Sequence, residues 1–175
     1  MWPIKSKFLD LHIRKRLKAT VKRRTVRFED ATQVGILFPF EGPVSAGKIR
    51  IFADRLKEQG KQVTLLTFSP QPLENPLTGI ECYTRKDFSL MGAISNEAVQ
   101  SFTNQTFDYL FYFGPPPVPE MQCILAESKA GCRIGAYQPE ATAFFELMIQ
   151  GPDPSHWDDL FREYTAYTQK LQTAS

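Results

Sequence analysis

Apolar positions recur along this chain with two different periods. Between Lys5 and Arg24, a stretch with no internal Gly or Pro, Leu9, Ile13, Leu17 and Val21 return every fourth residue and mark one stripe of a helix. Cations fill most of the other directions, with Arg14, Lys18 and Lys22 on one side and Lys5, Arg16 and Arg23 on another, while Phe8 and Leu11 fall outside the stripe. From Gln33 onward, short continuous apolar runs take over. Gln33–Phe38, Gln62–Phe68, Ile80–Tyr83, Phe107–Phe113, Cys132–Tyr137 and Phe144–Ile149 are the expected strands. Between them the spacing predicts helices from Ser45, as N-cap, to Glu58 before Gly60, from Ser95 or Asn96 to Phe102, and from Pro119 to Ala130 before Gly131. A last helix is expected from a Ser155 cap to about Gln172. Strands that alternate with helices and are apolar on both faces predict an α/β fold with a mostly parallel sheet covered on both sides.

The first and most apolar runs set the expected order. Gln33–Phe38 should be central, with the second and third strands on one side and Phe107–Phe113 on the other. A chain of 175 residues suits one domain, read as a basic helical arm over residues 1–30 and a single Rossmann-like three-layer domain over 31–175. Roughly 145 residues can bury about two-thirds of their unfolded surface.

Charge changes the picture most. Ten of the 21 Lys and Arg residues lie between Lys5 and Arg27, with Asp10 the only acid among them, and the remainder of the chain carries 11 bases against 18 acids. The overall +2 therefore conceals a basic segment joined to an acidic body. The ten are Lys5, Lys7, Arg14, Lys15, Arg16, Lys18, Lys22, Arg23, Arg24 and Arg27. Three readings of them stay open. They can neutralise the phosphates of RNA or a ribonucleoprotein, they can lie on an anionic membrane surface with Trp2 and Phe8 as shallow anchors, or the apolar stripe can dock on the protein's own body. All-round charge fits a polyanion better than a flat bilayer, and a non-catalytic RNA-binding or assembly role is the expectation.

Candidate chemistry is sparse. Gly42-Pro-Val-Ser-Ala-Gly47-Lys48 fits the spacing of a phosphate-binding loop between a strand and a helix. Ile49 stands where such a loop needs Ser or Thr for magnesium, and Pro43 removes one backbone donor, so a plain strand-to-helix turn capped by Ser45 is expected. If a cleft exists, it lies at the carboxyl ends of the strands, with Glu41, Gly42, Ser45, Gly47, Lys48, Gly114 and Tyr137 around it. No nucleophile elbow occurs, and neither His12 nor His156 has a Cys or carboxylate at ligand spacing, so neither a metal site, a cofactor nor a catalytic group is expected. Cys82, Cys123 and Cys132 form no Cys-x-x-Cys pair, there is no signal-like apolar segment at the start, and no run approaches eighteen apolar residues. A cytoplasmic setting is the expectation.

The basic first helix, Val34-Gly-Ile-Leu37, Phe107-Asp-Tyr-Leu110 and Ser128-Lys-Ala-Gly-Cys-Arg-Ile-Gly135 together resemble an uncharacterised family of small Bacteroidota proteins classed as a domain of unknown function. That resemblance implies no activity. The strand–helix–Arg-Ile-Gly pattern also resembles the N-terminal Rossmann-like half of heptosyltransferase-type glycosyltransferases. Such enzymes bind the sugar nucleotide chiefly in a second domain, for which this chain has no room, so the likeness implies at most a degenerate glycosyltransferase-like or nucleotide-binding domain.

Overall fold

The computed structural model describes residues 2–19, 22–89, 93–151 and 157–170, with side chains described from residue 7 in the first helix and from residue 159 in the last. Six strands form one sheet, β1 (Gln33–Pro39), β2 (Gln62–Phe68), β3 (Glu81–Tyr83), β4 (Tyr109–Tyr112), β5 (Cys132–Ala136) and β6 (Leu147–Ile149). Their order is β3-β2-β1-β4-β5-β6, and every pairing is parallel. β1 is central, with β2 and β3 on one side and β4 on the other, as its unbroken apolar run requires.

The helices are α1 (Trp2–Lys18), α2 (Pro43–Glu58), α3 (Glu97–Asn104), α4 (Pro119–Glu127) and α5 (Trp157–Lys170). Side-chain alternation along β4 divides the core. Tyr109, Phe111 and Phe113 face α2 and α5, where Phe52 stacks on Phe161 with ring centroids 4.5 Å apart. Leu110 and Tyr112 face α3 and α4 on the opposite side. Two such layers of aromatic and aliphatic side chains supply most of the drive to fold.

Several boundaries depart from the sequence expectation, each for a local reason. α2 begins at Pro43, with Gly42 as its N-cap and no side-chain cap. Proline suits the first helical position, where its missing N–H costs nothing. Ser45 therefore lies inside the first turn and its hydroxyl donates to the Gly42 carbonyl at 2.9 Å. α4 stops at Glu127 rather than Ala130, because Ser128 is extended and its Oγ accepts from Ala130 N at 3.1 Å. The expected strand Phe144–Ile149 is only β6; residues 139–144 form a 3-10 turn. α1 ends at Lys18, short of Arg24. The proposed Ser155 cap and Val21 lie outside the described residues.

α1 packs on α4. Ile13 is buried at 3% exposure, and Leu9 and Leu17 are half-buried against the same cluster, so the apolar stripe is satisfied by the body. Beyond α1 the chain crosses the amino ends of the central strands. There Asp108 accepts from the backbone N–H groups of Thr32 and Gln33 at 2.8 and 2.9 Å, and Lys61 Nζ donates to the carbonyls of Phe28 and Ala31 at 2.6 and 2.9 Å.

Candidate functional site

The docking of α1 sorts the ten basic residues by direction. Helical spacing places Leu9, His12, Ile13, Arg16 and Leu17 toward α4 and Lys7, Leu11, Arg14, Lys15 and Lys18 away from it. Lys7, Arg14, Lys15 and Lys18 are exposed, as are Lys22 and Arg24 just beyond the helix. None of these six forms an ion pair among the described residues. Leu11, at 65% exposure, and Phe8, at 46%, stand between them.

The remaining bases are engaged or outside view. Arg16 lies 3.6 Å from Glu127, and Arg27 pairs with Asp30 at 2.8 Å. Arg23 is turned inward: its Nη1 donates to the carbonyls of Ser128 and Ala130, and its Nε lies 3.0 Å from Glu146. Burial and the nearby Arg133 hold the Arg23 guanidinium below its usual value. It fastens the segment after α1 to the body rather than facing solvent. The Lys5 side chain lies outside the described residues.

At the carboxyl edge of the sheet the expected cleft takes a different form. Gly47 and Lys48 sit within α2, past its first turn, so no loop wraps a phosphate there. Reading the heptad as a loop fails because Pro43 starts the helix early. The strand ends at the β1–β4 switch are closed against each other. A Cβ at Gly114 would stand 2.7 Å from Pro39 Cδ, which is why only glycine fits. Gln138 bridges from the next loop, its Nε2 donating to the Gly114 carbonyl at 3.1 Å, while its buried Oε1 has no partner among the described residues. Glu41 and Tyr137 are exposed at this edge.

The α1–α4 seam holds what sequence spacing could not reveal. His12 Nε2 lies 2.6 Å from Glu127 Oε1, across 115 residues of chain. Cys123, one turn before Glu127 on α4, places its sulfur 3.9 Å from the same oxygen. His12 has no such partner at ligand spacing along the sequence; tertiary packing brings Glu127 and Cys123 to it. An open groove of about 640 Å³ runs beside the pair, bounded also by Arg16, Gln100, Asn104 and Lys129. A second, smaller groove of about 340 Å³ includes Arg16, Lys18, Arg23, Arg133 and Glu146.

The chain belongs to a family of unknown function (DUF6913), which it matches over residues 5–171. The match includes α1 from Lys5 onward together with the whole sheet. No curated protein and no solved structure matches the chain. Among the described residues, no helix is long and apolar enough to cross a membrane.

Proposed function

We propose that this protein is a non-catalytic binding or assembly protein that holds a polyanion, RNA by preference, against the outward face of α1. The observation that carries the reading is the direction of the charges. The apolar stripe Leu9, Ile13 and Leu17 is spent on α4, and Lys7, Arg14, Lys15 and Lys18 project from the opposite side of a helix held in place by the body. Cations on a fixed scaffold bind phosphates with less ordering cost than cations on a loose tail. The same docking argues against a bilayer as the target, because the apolar stripe that would enter the lipid is already covered and, among the described side chains of α1, only Phe8 and Leu11 remain as exposed large apolar groups.

Binding of a short labelled single-stranded RNA by the full chain is the direct test. With about five phosphate contacts, affinity falls roughly 100- to 500-fold between about 50 and 200 mM salt. Replacing Lys7, Arg14, Lys15 and Lys18 together by Gln abolishes most of that salt dependence and weakens binding at every sequence alike. Equal binding by the quadruple variant, or preferential capture by anionic vesicles over RNA, overturns the reading.

A further inference from the structure

The seam between α1 and α4 gathers three unlike ligand atoms. His12 supplies an imidazole nitrogen, Cys123 a sulfur and Glu127 a carboxylate oxygen, all within 4.8 Å of one another. Cys123 and Glu127 share one face of α4 at i, i+4 spacing, and His12 arrives from α1. We propose that His12, Cys123 and Glu127 bind a zinc-class divalent cation that staples α1 to α4 and keeps one coordination position open toward the adjoining groove.

The chemistry of the set selects the ion. Nitrogen, sulfur and carboxylate together suit Zn²⁺ and the similar Co²⁺, whereas Mg²⁺ and Ca²⁺ require oxygen ligands. Three protein ligands are the number found where zinc keeps a place for water or an exogenous ligand. A neutral imidazole, a thiolate and a carboxylate balance the ion's two positive charges. Cys123 is buried, and burial pushes its thiol up to about 12. A bound zinc ion removes that proton outright, so the high value in the metal-free protein is no barrier to ligation.

Little movement is needed. Around a tetrahedral zinc, neighbouring N, O and S ligand atoms stand roughly 3.3–3.7 Å apart. The His12–Glu127 separation of 2.6 Å must open, the Cys123–Glu127 separation of 3.9 Å must close slightly, and the His12–Cys123 separation, no more than 4.8 Å, must come into the same range by side-chain rotation. Arg16, half exposed, has its Nε 3.6 Å from the same Glu127 Oε1, and on metal binding it need only swing to the carboxylate's other oxygen to give the kind of outer contact that orients ligating carboxylates. His12 and Glu127 both line the 640 Å³ groove, so the fourth position opens there.

The test uses the full chain, stripped of metal and titrated with Co²⁺ and then Zn²⁺. One equivalent of Co²⁺ gives sulfur-to-metal charge-transfer absorption and the visible bands of a tetrahedral site, and Zn²⁺ displaces them. The melting temperature rises by several degrees at about a hundredfold excess over Kd. His12→Ala, Cys123→Ser and Glu127→Gln each lose the absorption with unchanged far-ultraviolet circular dichroism, while Cys82→Ser, Cys132→Ser and Arg16→Ala retain it. Should Cys123→Ser fail to fold, Glu127→Gln and His12→Ala still decide. Absence of charge-transfer absorption in the folded wild-type chain, or its persistence in those two variants, overturns the proposal. RNA binding by α1's outward face is read separately and does not depend on the result.

Discussion

Arg133 and Glu146 form a closed pair at the amino end of β5. The Arg133 Nε and Nη2 atoms reach the carboxylate at 3.0 and 2.6 Å, its backbone N–H donates to the same group at 2.7 Å, and its Nη1 donates to the Leu125 carbonyl at 2.8 Å. Arg23 Nε lies 3.0 Å from the same Oε1 that Arg133 Nη2 reaches. One acid therefore ties together β5, the end of α4 and the segment leaving α1. Glu146→Gln leaves the nearly buried Arg133 charge without its counter-ion and lowers stability by about 3 kcal/mol, read as the shift in urea midpoint. Arg23→Gln costs less, since the Arg133–Glu146 pair survives. A Glu146→Gln midpoint equal to wild type sinks this account.

Two neighbours on α1 separate docking from display. Ile13 is buried and Leu11 is 65% exposed, two residues apart on one helix. Ile13→Ala removes core contacts against α4 and lowers stability by about 3 kcal/mol, a fall in Tm of roughly 6–12 °C for a chain of this size. Leu11→Ala stays within about 0.5 kcal/mol. Equal effects from the two would mean that α1 is not seated on α4. The comparison also shows why removing residues 1–27 is a poor test of RNA binding, because the deletion uncovers α4 as well.

The parallel sheet and the order of its central strands were legible because β1, β2 and β4 are apolar on both faces, and nothing but a doubly covered sheet accommodates such runs. The stripe Leu9, Ile13, Leu17 was legible as a helical periodicity, but that it docks on α4 was one of three open readings until the packing was seen. What stayed hidden depends on contacts between distant parts of the chain. His12 meets Glu127 across 115 residues, and no local spacing encodes that approach. Arg23 reads as one more surface cation until Ser128, Ala130 and Glu146 are seen around it. Phe144-Phe-Glu-Leu-Met-Ile149 reads as a strand throughout, yet Phe144 and Phe145 turn into the core below α4 and Glu146 is held by Arg133. Only Leu147–Ile149 is left to pair with β5.

Burial of groups that must stay protonated makes the fold weaken in alkali. Burial pushes the Cys132 thiol from 9.0 up to about 11 and the Tyr109 hydroxyl from 10.0 up to about 12, with Tyr109 donating to the Val26 carbonyl. Both folded values lie above the unfolded ones, so the unfolded chain loses its protons first as pH rises. The contribution of Cys132 is intact below about pH 9 and is lost between about pH 9 and 11, amounting to roughly 1 kcal/mol by about pH 10. Tyr109 follows over about pH 10 to 12. Urea midpoints at about pH 8 and pH 10 decide the matter. Wild type declines more steeply than Cys132→Ala over this interval, and parallel declines would remove Cys132 from the explanation.

Gly131 and Gly47 respond oppositely to the same substitution. A Cβ on Gly131 overlaps the Arg24 carbonyl and stands 3.1 Å from the Asp108 carbonyl, while the Gly131 N–H donates to Phe107 at 2.7 Å. Both obstacles are backbone, so neither can swing aside. Gly131→Ala therefore lowers stability by about 1–3 kcal/mol and pushes the Lys22–Arg27 segment outward. Limited digestion with trypsin reads the displacement as faster cleavage after Lys22, Arg23 and Arg24. Gly47 lies in α2 with no atom within 4 Å of an added Cβ. Gly47→Ala raises stability by about 0.5–1 kcal/mol, because alanine loses less backbone freedom in a helix. A loop that needed glycine to approach phosphate would instead be damaged by that change. A destabilised Gly47→Ala would restore the phosphate-loop reading of Gly42–Lys48, and a stabilised one leaves the segment as the opening turns of α2.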